Sequence, residues 1–348
     1  MSTLFKIRSF FSRHKNKFFI GGLLVTSTLL LSKYMQKRLR DWHEKEAREF
    51  LERNRKQSHF ESINQTCNQT ILGLSSSLLD TIYAEVDTDS IIESLKSNSV
   101  NKFEKWNTLK VQVFTKAACV IYGLVMLVMT LKIQLNILGG YLYRNTMDVS
   151  TQQQEQYLSL WQNFLNVGVK KLTNTIETEV EKILERVDLK KQMKLSDLEA
   201  IFWSLQSSLA SHKESPIEQI RPYVINDELS SNTDVYHNML RDTADLLESD
   251  EVKLIVTHYV SKGFYVLGDQ LSEFFGQNES KLSELRDEKV DIDTFLNPFS
   301  SKKPMAKLIP ILNGLLSKQS FPQNFTQILI TDEKINTLGA NVYESLLF

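Results

Sequence analysis

Between Trp161 and Val187 the apolar residues Trp161, Leu165, Val169, Leu172, Ile176, Val180, Ile183/Leu184 and Val187 recur three and four positions apart. That period puts them on one helix face and predicts a long amphipathic helix with a single buried stripe. Two other runs are apolar all round: Phe18–Ser32, between Lys17 and Lys33, and Ala117–Leu131, between Lys116 and Lys132. No sustained strand-like alternation, internal repeat or low-complexity linker interrupts the chain. No proline precedes Pro216, and all six lie between Pro216 and Pro322. Long helices are therefore expected over the first 215 residues and shorter, more broken ones after them. Ser90/Glu93, Asn101/Glu104, Ser150/Gln153 and Ser196/Glu199 each have capping-box spacing and predict helix starts. The reading is an all-α chain: an N-terminal segment, 1–40, followed by one helical domain over 41–348.

Phe18–Ser32 is fifteen residues long. As a helix it would span roughly 22 Å, short of a ~30 Å hydrocarbon core unless flanking lysines snorkel. A cleaved signal peptide, a buried core helix and a single membrane anchor compete. "KYMQKRLR" follows the run with no small-residue cleavage site, which favours an anchor formed by Phe18, Ile20, Leu23, Leu24, Leu29, Leu30 and Leu31. Basic residues on both sides leave its orientation open. Ala117–Leu131 is equally short and continues a helix that begins near Asn101, so a buried central helix is expected rather than a second span. Beyond Lys33, the pairs Glu44/Arg48 and Glu52/Lys56 support a charged helix continuing from the anchor.

Charge sharpens this division. The net charge of −1 conceals nine basic and no acidic residues in 1–40, against a net of −10 in the remainder. A basic N-terminus on an acidic body suits a membrane-proximal end better than a nucleic-acid surface. Cys67 and Cys119 form no disulfide framework. The six histidines are scattered without metal-ligand spacing, and no dinucleotide fingerprint, P-loop or G-x-S-x-G elbow occurs. Catalysis, metal, cofactor, nucleic acid and small-molecule substrate therefore lack a sequence basis, which leaves binding.

The best binding candidate is "NKFEKWNTLKV", Asn101–Val111. With Asn101 as cap, Phe103, Trp106, Lys110 and Val113 share a stripe with Leu109 beside it, and Lys102 and Lys105 add to a basic fence. Exposed aromatics dominate binding hot spots, and the lysines would suit an acidic amphipathic helix lying in a groove. Trp106 could equally close the end of the bundle with the lysines as its solvated rim; residue types alone leave both readings open.

Ordered segments along the chain resemble the peroxin-3 family. They are "FFSRHKNKFFIGG", "SKYMQKRLRDWHEKEAREF", "HFESINQTCNQTIL", "KFEKWNTLKVQVFTKAACVIY", "IQLNILGGYLY", "MAKLIPILNG" and "ANVYES". The resemblance implies a large twisted helical bundle on the cytosolic face of the peroxisomal membrane, tethered by one N-terminal anchor helix with a short luminal N-terminus. It implies docking of peroxin-19, a chaperone carrying membrane-protein cargo, through that chaperone's N-terminal amphipathic helix. By the same resemblance Trp106 is the tryptophan of the groove, Leu95, Phe103 and Leu109 its apolar neighbours, and Lys96, Lys102 and Lys110 its basic rim, with Lys307 approaching. The rivals are a helical tether for organelle-inheritance or degradation factors, and a lipid-binding body built around 117–143.

Overall fold

The computed structural model describes residues 2–97, 101–144, 149–225, 234–276, 301–317 and 320–347, with side chains from residue 32 onward. The chain divides into two compact units, Met1–Glu61 and Ser62–Phe348. The first is helical throughout its described length, the beginning of α1 (Ser2–Glu85). The expected anchor residues Phe18, Ile20, Leu23, Leu24, Leu29, Leu30 and Leu31 lie on α1 but outside the described side chains. Farther along, the expected i,i+4 pairs form: Arg48–Glu44 at 3.8 Å and Lys56–Glu52 at 3.5 Å, joined by Lys45–Glu49 and Arg53–Glu49.

In the second unit, α3 (Lys102–Arg144) is the spine. It is long and apolar enough to cross a membrane, yet every residue from Val113 to Gln134 is buried by the protein itself. Ala117–Leu131 is thus a central core helix. Around it lie α2 (Thr88–Lys96), α6 (Val169–Leu184), α9 (Val235–Leu247), α10 (Asp250–Gly276), α11 (Met305–Ser317), α12 (Ser320–Thr331) and α13 (Glu333–Ser345). Such encirclement explains a helix with no polar face. Close approach explains the glycine pair within α3. A Cβ at Gly139 would fall 2.2 Å from Ile63 Cδ1, and one at Gly140 would fall 2.8 Å from Leu346 Cβ.

Lys116 and Lys132, on the spine, are buried with neutral hydrogen-bond partners. Lys132 Nζ donates to Asn64 Oδ1 (2.5 Å) and Asn336 Oδ1 (2.8 Å). Lys116 Nζ donates to Thr88 Oγ1 at 3.1 Å and to Asn313 and Ser317 at 3.4 Å, and stands 4.3 Å from the Tyr83 ring centre. Desolvation depresses the pKa of both ammonium groups. Burial also pushes the thiols up, Cys67 to about 11 and Cys119 to about 12, so neither is a ready nucleophile.

The stripe from Trp161 to Val187 is present but not as one uniform helix. α4 (Thr151–Leu158) and α5 (Leu160–Asn163) precede a π-helical turn, Phe164–Gly168, which runs into α6. The local cause is the docking of α8 (Arg221–Val224). Asn163 Nδ2 donates to Val224 O at 3.1 Å, and a Cβ at Gly168 would meet Tyr223 O at 2.1 Å. Two capping expectations move. The cap of α2 is Asp87, whose carboxylate accepts from Ser90 N, so Ser90 is not the cap. The start of α7 (Leu195–Ala210) is fixed by Lys194 N donating to Asp197 Oδ2 at 2.8 Å, ahead of Ser196/Glu199. Ser150/Gln153 forms both halves of its box. One short ladder, Gln192–Met193 against Lys303–Pro304, adds two-residue strands that the sequence pattern does not signal.

Candidate partner-docking site

The last turn of α2 and the first turn of α3, two helices that pack against each other, form one tip of the second unit. Asn101 has φ 77°, the only positive value for a non-glycine among the described residues. Asparagine tolerates this left-handed conformation better than most side chains. Its Nδ2 also donates to Glu104 Oε2 at 3.1 Å, a side-chain pair across the first turn of α3 and not the side chain-to-backbone bond of the capping box that the spacing suggests.

From that tip, one stripe of α3 passes from solvent into the core. Phe103 is 68% exposed. Trp106, one turn on, is partly buried and packs against the core. Leu109 and Val113 are fully inside. Leu95, on the last turn of α2, is likewise partly buried against the core. The indole is therefore neither sealed in nor free: one side meets the bundle while Phe103 beside it stays bare.

Lys110 requires a correction. Placed on the basic rim by family resemblance, it is only 4% exposed and turned inward. Its Nζ donates to Leu184 O at 3.0 Å and Val187 O at 2.6 Å, satisfying carbonyls at the end of α6 that helix geometry leaves open. A cation there also opposes the negative end of the helix dipole. Desolvation lowers its pKa, with Asp188 opposing. The signal was present in the spacing, since Lys110 shares its stripe with Val113.

The remaining rim residues stay at the surface: Lys96, Lys102 and Lys307 are exposed and Lys105 is partly so. Backbone bonds bring the start of α11 to the segment that Lys110 caps. Ala306 N donates to Leu189 O at 2.9 Å and Met305 N to Lys191 O at 3.0 Å. Lys307, next in sequence, therefore belongs to the same end of the bundle as the first turns of α3. Among the described residues, no group of three or more His, Cys, Asp or Glu side chains converges as a metal site.

Known proteins match this chain along nearly its whole length. The family described as Peroxin-3 matches residues 9–105, 96–155 and 142–344. Human peroxisomal biogenesis factor 3 is 32% identical over 366 residues, covering 97% of this chain and 96% of the human protein. An Arabidopsis thaliana protein, peroxisome biogenesis protein 3-1, is 24% identical over 283 residues, covering 70% of this chain and 77% of its own length. Peroxisomal biogenesis factor 3 of Debaryomyces hansenii is 21% identical over 401 residues, covering 97% of this chain and 93% of the yeast protein. The helical bundle, its ordered sequence segments and these matches agree: the chain belongs to the peroxin-3 family.

Proposed function

We propose that this peroxisome biogenesis factor acts as a membrane-anchored docking receptor. It would capture the N-terminal amphipathic helix of cargo-loaded peroxin-19 at the tip formed by Leu95, Phe103, Trp106 and Leu109, with Lys96, Lys102 and Lys307 as the basic rim. The observation that carries this reading is the graded exposure along α3, which leaves Phe103 bare beside a partly buried Trp106. An apolar helix laid against Phe103 and Trp106 would continue the stripe that Leu109 and Val113 complete inside, the way helix-in-groove complexes extend a core. Surface lysines at the edge favour an acidic partner and accelerate encounter. Phe18–Leu31 would hold the body at the peroxisomal membrane, with the bulk cytosolic and the N-terminus luminal. The reading asks for no chemistry from the chain, only retention of the chaperone where its cargo inserts. Weighing against a lipid-binding body built around 117–143, every residue from Ala117 to Gln134 is buried within the bundle.

Calorimetry of the full chain in nanodiscs with the peroxin-19 helix tests the proposal. Trp106→Ala should weaken binding by about 2 kcal/mol, roughly 30-fold, with the melting temperature little changed. Unchanged affinity in a folded variant would overturn it.

A further inference from the structure

α7 and α10 pack antiparallel, with Phe202 and Phe264 in ring contact at 5.3 Å and Ser261 Oγ donating to Gln206 Oε1 at 2.8 Å one turn along. Trp203 and Tyr265 each follow the inward phenylalanine by one residue. A step of one residue turns a helix by about 100°. In an antiparallel pair these two turns carry both side chains to the same outer face. Both are left bare there, Trp203 70% and Tyr265 74% exposed. Leu254, 72% exposed, precedes Tyr265 by eleven residues, three turns and about 16 Å along the same stripe of α10. Single exposed apolar residues are ordinary on a protein surface, but here two large aromatics share one face, and Leu254 lies on the same stripe of α10 beyond the exposed polar residues Thr257, His258 and Ser261, within the length of one docked helix.

The aromatic pair itself is flanked by exposed carboxylates. Glu199 lies one turn before Trp203, Asp269 one turn after Tyr265, and Glu251 three residues before Leu254; all three are exposed. α7 contains no lysine or arginine. The two lysines of α10 are committed elsewhere, Lys253 to Glu218 at 3.5 Å and Lys262 to Asp332 at 2.9 Å. At the Leu254 end, Lys334 stands beside Glu251 and Glu333 in a shallow concavity.

We propose that the Trp203/Tyr265/Leu254 face is a second docking surface, for an amphipathic helix of a partner protein that is apolar on one side and cationic on the other. Guanidinium groups would stack on the indole and phenol and pair with Glu199 and Asp269, while the apolar side covers Leu254. Acidic surroundings repel an anionic membrane surface, so the occupant is a peptide helix and not lipid headgroups. This surface does not depend on the Trp106 reading.

Fluorine NMR on the full chain in phosphatidylcholine nanodiscs tests it, with fluorotryptophan at the four tryptophans. Two synthetic helical peptides serve as probes, sharing a leucine face and carrying either arginine or glutamate opposite. The arginine peptide should shift the Trp203 resonance, assigned with Trp203→Phe, and Trp106→Ala should leave that binding intact. Trp203→Ser with Tyr265→Ser should weaken it roughly tenfold or more. Glu199→Lys with Asp269→Lys should abolish the preference for arginine over glutamate. These positions are exposed, so unchanged circular-dichroism melts would accompany each variant. A Trp203 resonance that stays still, that moves equally with both peptides, or that moves only as chain concentration rises would overturn the proposal; the last outcome would assign the face to a second copy of the chain.

Discussion

Two tryptophans show how differently one residue type can be left at a surface. Trp106 is partly buried, at the point where a helix stripe passes from exposed Phe103 to the interior Leu109 and Val113. Trp203 stands on a finished foundation, since its neighbour Phe202 already packs against Phe264 in the core. At the first site a partner would complete the packing of the bundle's end; at the second it would be added on top of a closed core. Their electrostatics are opposed as well. Exposed Lys96, Lys102 and Lys307 belong to the Trp106 end, whereas Glu199 and Asp269 flank the Trp203 face. Opposite surroundings around similar apolar centres are how one chain can sort two partners without confusing them.

The contrast depends on which lysines face outward, and Lys110 is the sharpest test of that. Lys110→Ala removes a charged donor from two carbonyls and should lower stability by about 3 kcal/mol, read by urea denaturation. Affinity of the folded variant for the peroxin-19 helix should stay close to wild type. Normal stability with weakened binding would return Lys110 to the rim and undo the distinction between inward and outward lysines on α3. Next in size, Lys96→Glu with Lys102→Glu should slow association about tenfold and flatten its dependence on salt, with dissociation little altered. Stopped-flow rates equal to wild type would remove the basic rim from the comparison.

Much of this fold was legible in the residues because it rests on periodicity. The uncharged run at 117–131 and its continuity with a helix start near Asn101 pointed to a core spine, and α3 is that spine. The Trp161–Val187 stripe was legible too, but not its π-helical turn, because that turn follows from Tyr223 and Val224 docking from a distant segment. Lys110 lies between these cases: its place on the stripe with Val113 points inward, but nothing local names what it bonds. A lysine beside an aromatic reads as rim until the open carbonyls of Leu184 and Val187, more than seventy positions away, supply its partners. The acidic face did leave a local trace: Phe202-Trp203 and Phe264-Tyr265 are adjacent aromatic doublets, and a helix cannot bury both members of such a doublet on one side. Which member turns outward, and that both outward rings meet on one face, depends on how α7 pairs with α10.

A smaller effect probes why the Trp203 face stays acidic. Asp332 accepts from the Tyr259 hydroxyl, from Lys262 Nζ at 2.9 Å and from Lys334 N at 3.0 Å. Burial raises its pKa, but these donors and the Lys262 charge outweigh that and hold the carboxyl below its ordinary value of 3.8. A carboxyl with a depressed folded pKa stabilises the protein above its unfolded pKa, and that contribution is lost as pH falls through the folded value. Asp332→Asn should therefore flatten the acid limb of the stability profile below about pH 4 and cost about 1 kcal/mol at neutral pH. It would also release Lys262, three residues from Tyr265, and put a positive charge beside the aromatic pair. The arginine peptide should then bind about threefold more weakly, while the peroxin-19 helix binds as before. If both peptides weakened together, the two surfaces would be coupled through the bundle rather than independent. If neither changed while the acid limb flattened, Lys262 would lie outside the field that the second partner senses.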